Sequence, residues 1–233
     1  MSKTRMFTRA LLAEPCFVPL SLCTALGFSF LLARCYISGG AGYVFLIKNL
    51  FLAWIPYGLS VATTMTPRPT GRRAVAALWL AWLAMFPNAP YIFTDLVHWR
   101  WRPSTMPWWY DLGTLLTFAL AGWFCGIASL RIMHEQVRRA LGGTSGWLFV
   151  VIVSALTGVG IYLGRFERWN SWDVLTRPKF VASQLLGGLA NPLAHGRTLG
   201  VTIMFGAMVL VTYTMFVSMG KQTNIQHRTS NVE

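Results

Sequence analysis

An all-α, polytopic membrane protein is what this sequence predicts, on three observations. Of its 233 residues 55% are hydrophobic, only 12% are charged, and long apolar runs alternate with short basic linkers. A soluble domain carries about 25% charged residues. A helix needs roughly 20 apolar residues to cross about 30 Å of hydrocarbon. The expectation is a single integral membrane domain over 1–233, with about six transmembrane helices, one of them broken. The net charge of +13 does not point to nucleic acid, because no basic domain or reader motif carries it. Basic clusters between apolar runs suit anionic lipid and the positive-inside bias instead.

The first span, 16–33, follows Lys3, Arg5 and Arg9 and is too long for the apolar part of a signal peptide. No small-x-small cleavage site follows, so it is expected to stay as an anchor. Leu22 and Arg34 precede Cys23 and Cys35 where lipidation would need a small residue. With Cys16 and Cys125, the cysteines form no C-x-x-C pair, which speaks against a disulfide framework or a zinc site. Neither a metal nor another cofactor is expected.

A Gly-rich turn at 38–42 leads into the second span, 43–65, which holds Lys48, Asn49 and Pro56. The basic linker 66–73 (T-P-R-P-T-G-R-R) follows. The third span, 74–93, breaks at Pro87-Asn88-Ala89-Pro90, since two prolines three residues apart free backbone carbonyls. Such a break is tolerated at membrane depth where protein or water satisfies those groups. Residues 95–111 read as a loop holding Trp99, Trp101, Trp108, Trp109 and Tyr110, residues that favour the headgroup level. The fourth span, 112–130, is followed by a basic loop, 131–146, with Arg131, Arg138 and Arg139. The fifth is 147–164 and the sixth 198–219, ahead of a polar tail, 220–233. Between them, 174–195 reads as an interfacial or re-entrant segment, its apolar part interrupted by Gly187-Gly188 and Asn191-Pro192.

Orientation follows from the linker cations. With the N-terminus inside, the inner side holds Lys3, Arg5, Arg9, Arg68, Arg72, Arg73, Arg131, Arg138, Arg139, Lys221 and Arg228. The outer side holds Arg34, Arg100, Arg102, Arg165, Arg168, Arg177, Lys179 and Arg197, against Asp95, Asp111, Glu167 and Asp173. Arginines kept outside against the bias suggest an anionic ligand.

That topology gathers Asn88, Asp95, His98, Asp111, Arg165, Arg168, Asn170 and Asp173 at one face, with Lys48 and Asn49 about a turn inside it. Ionisable residues at membrane depth are functional candidates by default. Arg165 and Arg168 offer planar forks for phosphate or carboxylate. Asn49, Asn88, Asp111, Asn170 and Asp173 join them as ligand-binding candidates, and Asp95 and His98 are the acid/base candidates. The competing reading is that Arg165 and Arg168 pair with Asp95, Asp111 or Asp173 and only tie helices together. Asn170 also reads as a helix N-cap with Asp173 three residues on. Asp95, His98 and an approaching Asp111 would make only a sparse metal site. Trp54, Trp79, Trp82 and Trp123 read as packing or lipid-facing residues, and His134, His195 and His227 as loop residues. No H-E-x-x-H, G-x-S-x-G or P-loop is present.

Four strings carry a resemblance: N-L-F-L-A-W-I-P-Y at 49–57, F-P-N-A-P-Y-I-F-T-D-L-V-H at 86–98, W-Y-D at 109–111 and G-I-Y-L-G-R-F-E-R-W-N-S-W-D at 160–173. The chain resembles the bacterial membrane family called domain of unknown function 1361, over roughly 48–173 and on towards the last span. Glu167 stands where that pattern has an apolar residue. The resemblance implies a bacterial multi-pass membrane protein and no activity. The residues suggest three functions. The first is recognition or processing of an anionic lipid or polyprenyl-linked phosphate at the outer face of the cytoplasmic membrane. The second is a transporter or channel for a small polar solute, and the third is a non-catalytic assembly partner. The lipid bilayer is the expected partner; nucleic acid is not.

Overall fold

The computed structural model describes residues 3–66, 71–100, 106–166 and 196–230, and all regular structure there is helical. A short helix, α1 (Lys3–Ala13), precedes α2 (Phe17–Ser38) and α3 (Phe45–Met65). The third span is divided into α4 (Arg72–Met85), α5 (Asn88–Tyr91) and a 3₁₀ helix (Ile92–Arg100). Then come α6 (Trp108–Leu141), α7 (Gly143–Arg165) and α8 (Gly196–Ser230). Six stretches are long and apolar enough to cross a membrane: α2, α3, Arg72–Trp99, α6, α7 and Thr198–Gly220. They are the six spans expected, and the molecule is a multi-pass helical membrane protein. Large apolar side chains such as Leu22, Leu32, Phe51, Leu80, Ile203 and Val211 point away from the protein, as a lipid-facing surface requires.

The bundle is organised around α6. Its apolar stretch is 72% buried, against 22–39% for the other five spans. All three apolar clusters use it: Trp82, Phe86, Leu130, Val153 and Val209 on one side, Leu46, Leu50, Ile92, Leu115 and Phe118 on another, and Leu20, Tyr57, Val61 and Ala128 on the third. The glycines of α6 seat the proline break. A Cβ on Gly122 would run into Ile92 and the Ala89 carbonyl, and one on Gly126 would stand 3.2 Å from the Ala89 methyl. Small residues that let helices approach closely are the usual device for packing in lipid, where apolar burial drives little. Ser129 of α6 donates to the Pro56 carbonyl at 3.0 Å and accepts from Trp82 Nε1 at 2.6 Å, joining α3, α4 and α6.

The helices outrun the apolar runs that announced them. The segment 131–146 is not a loop. Arg131, His134, Glu135, Arg138 and Arg139 continue α6 to Leu141, and the chain reverses at Gly142, whose φ of 90° suits glycine. The cause is local: Glu135 bonds Arg138 at 2.7 Å and Arg139 at 2.6 Å, at spacings that support a helix after hydropathy has failed. His134 is consequently buried, 2.6 Å from the Tyr213 hydroxyl and packed on Trp147. Residues 95–100, read as the start of a loop, form the 3₁₀ helix, and Trp108–Asp111 form the first turn of α6.

Candidate functional site

Asp95 is the centre of the polar cluster. The break at Pro87–Pro90 turns the chain out of α4, Asn88 donates to the Met85 carbonyl at 3.0 Å, and the tight 3₁₀ turn that follows tucks Asp95 inward. Its side chain is only 2% exposed. Asn49, a turn inside α3, donates to Oδ2 at 2.6 Å. Arg165, in the last turn of α7, donates from one terminal nitrogen to Oδ1 at 3.3 Å. His98, one turn after Asp95, places Nδ1 3.0 Å from the Asp95 carbonyl and 3.9 Å from Oδ1. A buried carboxylate is thus held by hydrogen bonds from two other helices, α3 and α7, as a buried charge must be.

Two Arg–Asp pairs stand at this end of the bundle, and they differ in kind. Arg34 of α2 reaches Asp111 of α6 through Nε at 2.6 Å and the second terminal nitrogen at 3.4 Å. Its remaining terminal nitrogen donates to the Gly42 carbonyl at 3.3 Å, and its guanidinium lies 4.3 Å from the Tyr43 ring centroid. Both partners are about 5% exposed. This pair is closed: every nitrogen of the fork has an acceptor. Gly42 leaves room for it, since a Cβ there would stand 2.6 Å from the guanidinium, and Tyr43 adopts a φ of 68° beneath it.

Arg165 is the open counterpart. It is 21% exposed and makes one hydrogen bond among the described residues; the Tyr91 ring centroid lies 6.0 Å from its guanidinium. Its other two nitrogens face no acceptor there. Stacked Tyr162 and Phe166 flank the end of α7, their centroids 5.4 Å apart.

Asn49, Asn88, Asp95, His98, Asp111 and Arg165 therefore all lie at one end, and Asn49, Asp95, His98 and Arg165 form one cluster. Asp111 does not approach Asp95 and His98; Arg34 has engaged it. Arg34, counted from the sequence as a loop cation, is a buried structural residue, because α2 runs to Ser38 and carries it inside. Only its partner could have revealed this, and the partner lies 77 residues away. Asn88 caps the broken helix. Arg168, Asn170, Asp173 and the 174–195 segment lie outside the described residues. Among the described residues no three His, Cys, Asp or Glu side chains come together as a metal site requires.

A family model described as "Protein of unknown function (DUF1361)" matches residues 48–212, a stretch that includes Asn49, Asp95, His98, Asp111 and Arg165. No curated protein and no solved structure matches the chain.

Proposed function

As the chain belongs to the DUF1361 family of proteins of unknown function, we propose from its own residues that the Asp95 cluster recognises the anionic headgroup of an amphiphile, such as a lipid or polyprenyl-linked phosphate, at the outer face of a bacterial cytoplasmic membrane. The observation that carries the reading is the open fork of Arg165. Asp95 anchors the guanidinium at one nitrogen and leaves two donors for an incoming oxyanion, in the planar geometry that phosphate and carboxylate fit. Asn49 holds Asp95 in place, and His98 is the acid/base candidate. Arg168 and Asn170, three and five residues beyond Arg165, are assigned to the same anion.

The competing role is a helix tie, and substitution separates the two. Arg165 is partly exposed, and buried Asp95 keeps its Asn49 bond when the arginine is removed, so the cost should stay below that of a closed buried pair. Arg165→Lys and Arg165→Ala should therefore lower membrane abundance and melting in detergent less than loss of Arg34 does. Both should lose roughly tenfold or more in affinity for phosphatidylglycerol over phosphatidylcholine, the worth of a charged hydrogen bond. Arg165→Ala losing stability that Arg165→Ala/Asp95→Asn recovers would make the residue a tie and end the ligand reading.

Orientation has its own test. Reporter fusions after Ser104 and after Gly142 should report periplasm and cytoplasm respectively. The reverse pattern would move the site to the cytoplasmic leaflet.

A further inference from the structure

We infer that the headgroup taken here carries a hydroxyl beside its anionic oxygens, donated to Nε2 of His98. This deepens the anion-binding reading of the same site and rests on it. His98 Nδ1 lies 3.0 Å from the Asp95 carbonyl oxygen, which can only accept, so Nδ1 carries the proton. A neutral imidazole protonated at Nδ1 has its lone pair on Nε2. The ring cannot turn freely, because it packs on Phe45 with centroids 4.7 Å apart. Its side chain is 33% exposed, and no described residue hydrogen-bonds Nε2.

Arg165 and the Nδ1 edge of His98 thus flank one carboxylate oxygen of Asp95, at 3.3 Å and 3.9 Å, and Nε2 is the outer nitrogen of the same ring. Arg165 offers donors only, and an imidazole whose single proton sits on Nδ1 offers an acceptor. A phosphodiester without a hydroxyl answers Arg165 and leaves Nε2 unmet. A glycerol-type headgroup, or a phosphate monoester keeping one P–OH, answers both. The site then reads a pairing of charge and hydroxyl rather than charge alone.

Phosphatidylglycerol and phosphatidylmethanol with the same acyl chains test this directly. They carry the same charge, and only the first has headgroup hydroxyls. Purified protein in mild detergent should bind phosphatidylglycerol about three- to tenfold tighter, the value of one neutral hydrogen bond. His98→Phe, which keeps an aromatic ring against Phe45, should bring the two lipids to equal affinity at the phosphatidylmethanol value. Equal binding by the wild type would overturn the hydroxyl inference while leaving the anion reading intact. Failure of both lipids to bind more tightly than phosphatidylcholine would end both. Tighter binding of phosphatidylethanolamine than of phosphatidylglycerol would also overturn it, since the donor would then be an ammonium. Should His98→Phe not fold, ¹⁵N spectra of histidine-labelled wild type decide the premise: Nε2 is expected to be the bare nitrogen, and a bare Nδ1 would overturn it.

Discussion

Arg34→Met is expected to destabilise the protein by about 3–5 kcal/mol, the cost of stranding a buried charge. Asp111 is nearly inaccessible and receives two bonds from Arg34, so removing the cation leaves a buried carboxylate with no counter-charge. The loss should appear as a lower melting temperature in detergent and less protein in the membrane. Arg34→Lys should fall between, because an ammonium cannot reach both carboxylate oxygens and the Gly42 carbonyl in one plane while stacking on Tyr43. The decisive variant is Arg34→Met/Asp111→Leu. Replacing both partners of a buried pair by apolar residues is often neutral, so the double variant should recover most of the stability. A double variant no more stable than Arg34→Met would show that the pair does more than satisfy itself. The same change at the open pair is expected to cost less, because Asp95 keeps its Asn49 bond, and that contrast between Arg34 and Arg165 is the measurable form of the difference between tie and site.

Gly158→Ala should have the next largest effect, a loss of about 1–3 kcal/mol from overpacking. A Cβ on Gly158 of α7 would overlap the carbonyl and Cα of Thr202 on α8, and one on Gly206 of α8 would stand 3.0 Å from the Ser154 carbonyl across the same seam. These obstacles are backbone atoms, which cannot yield by changing rotamer. The two helices must separate instead, and close van der Waals packing is what holds them together in lipid. Gly200→Ala is the control, for its added methyl meets nothing within 4 Å. There the change should be neutral or stabilising by up to about 1 kcal/mol, from helix propensity alone. Melting temperatures of the two variants in one detergent provide the comparison. A loss equal at both positions would mean that the α7–α8 seam is looser than the geometry implies.

Class, span number and the place of the break were legible because they depend on local chemistry. A run of uncharged apolar residues has one low-energy environment, and Pro87 with Pro90 cannot continue a helix wherever the bundle places them. The end of the bundle that gathers Asn49, Asp95, His98, Asp111 and Arg165 was legible too, since alternating spans fix which termini meet. Helix ends were less so. Hydropathy falls at Arg131, but α6 continues to Leu141 on its own backbone bonds and its Glu135–Arg138 and Glu135–Arg139 pairs, which carried His134 from an expected loop into the interior.

By itself the sequence determined that this is a six-span helical membrane protein with a break in its third span. Only the tertiary structure decided which carboxylate each arginine meets. Asn49, Asp95 and Arg165 converge across separations of 46 and 70 residues, and Arg34 takes Asp111 across 77. Such pairings depend on the rotation and depth of each helix, which the packing of α5 against Gly122 and of α8 against Gly158 sets to within a side chain's reach. A one-turn shift of a helix that carries one of these partners would break its pairing while leaving composition, periodicity and span length unchanged. That is why two Arg–Asp pairs of the same chemistry, one closed and one open, could be told apart only in the folded protein.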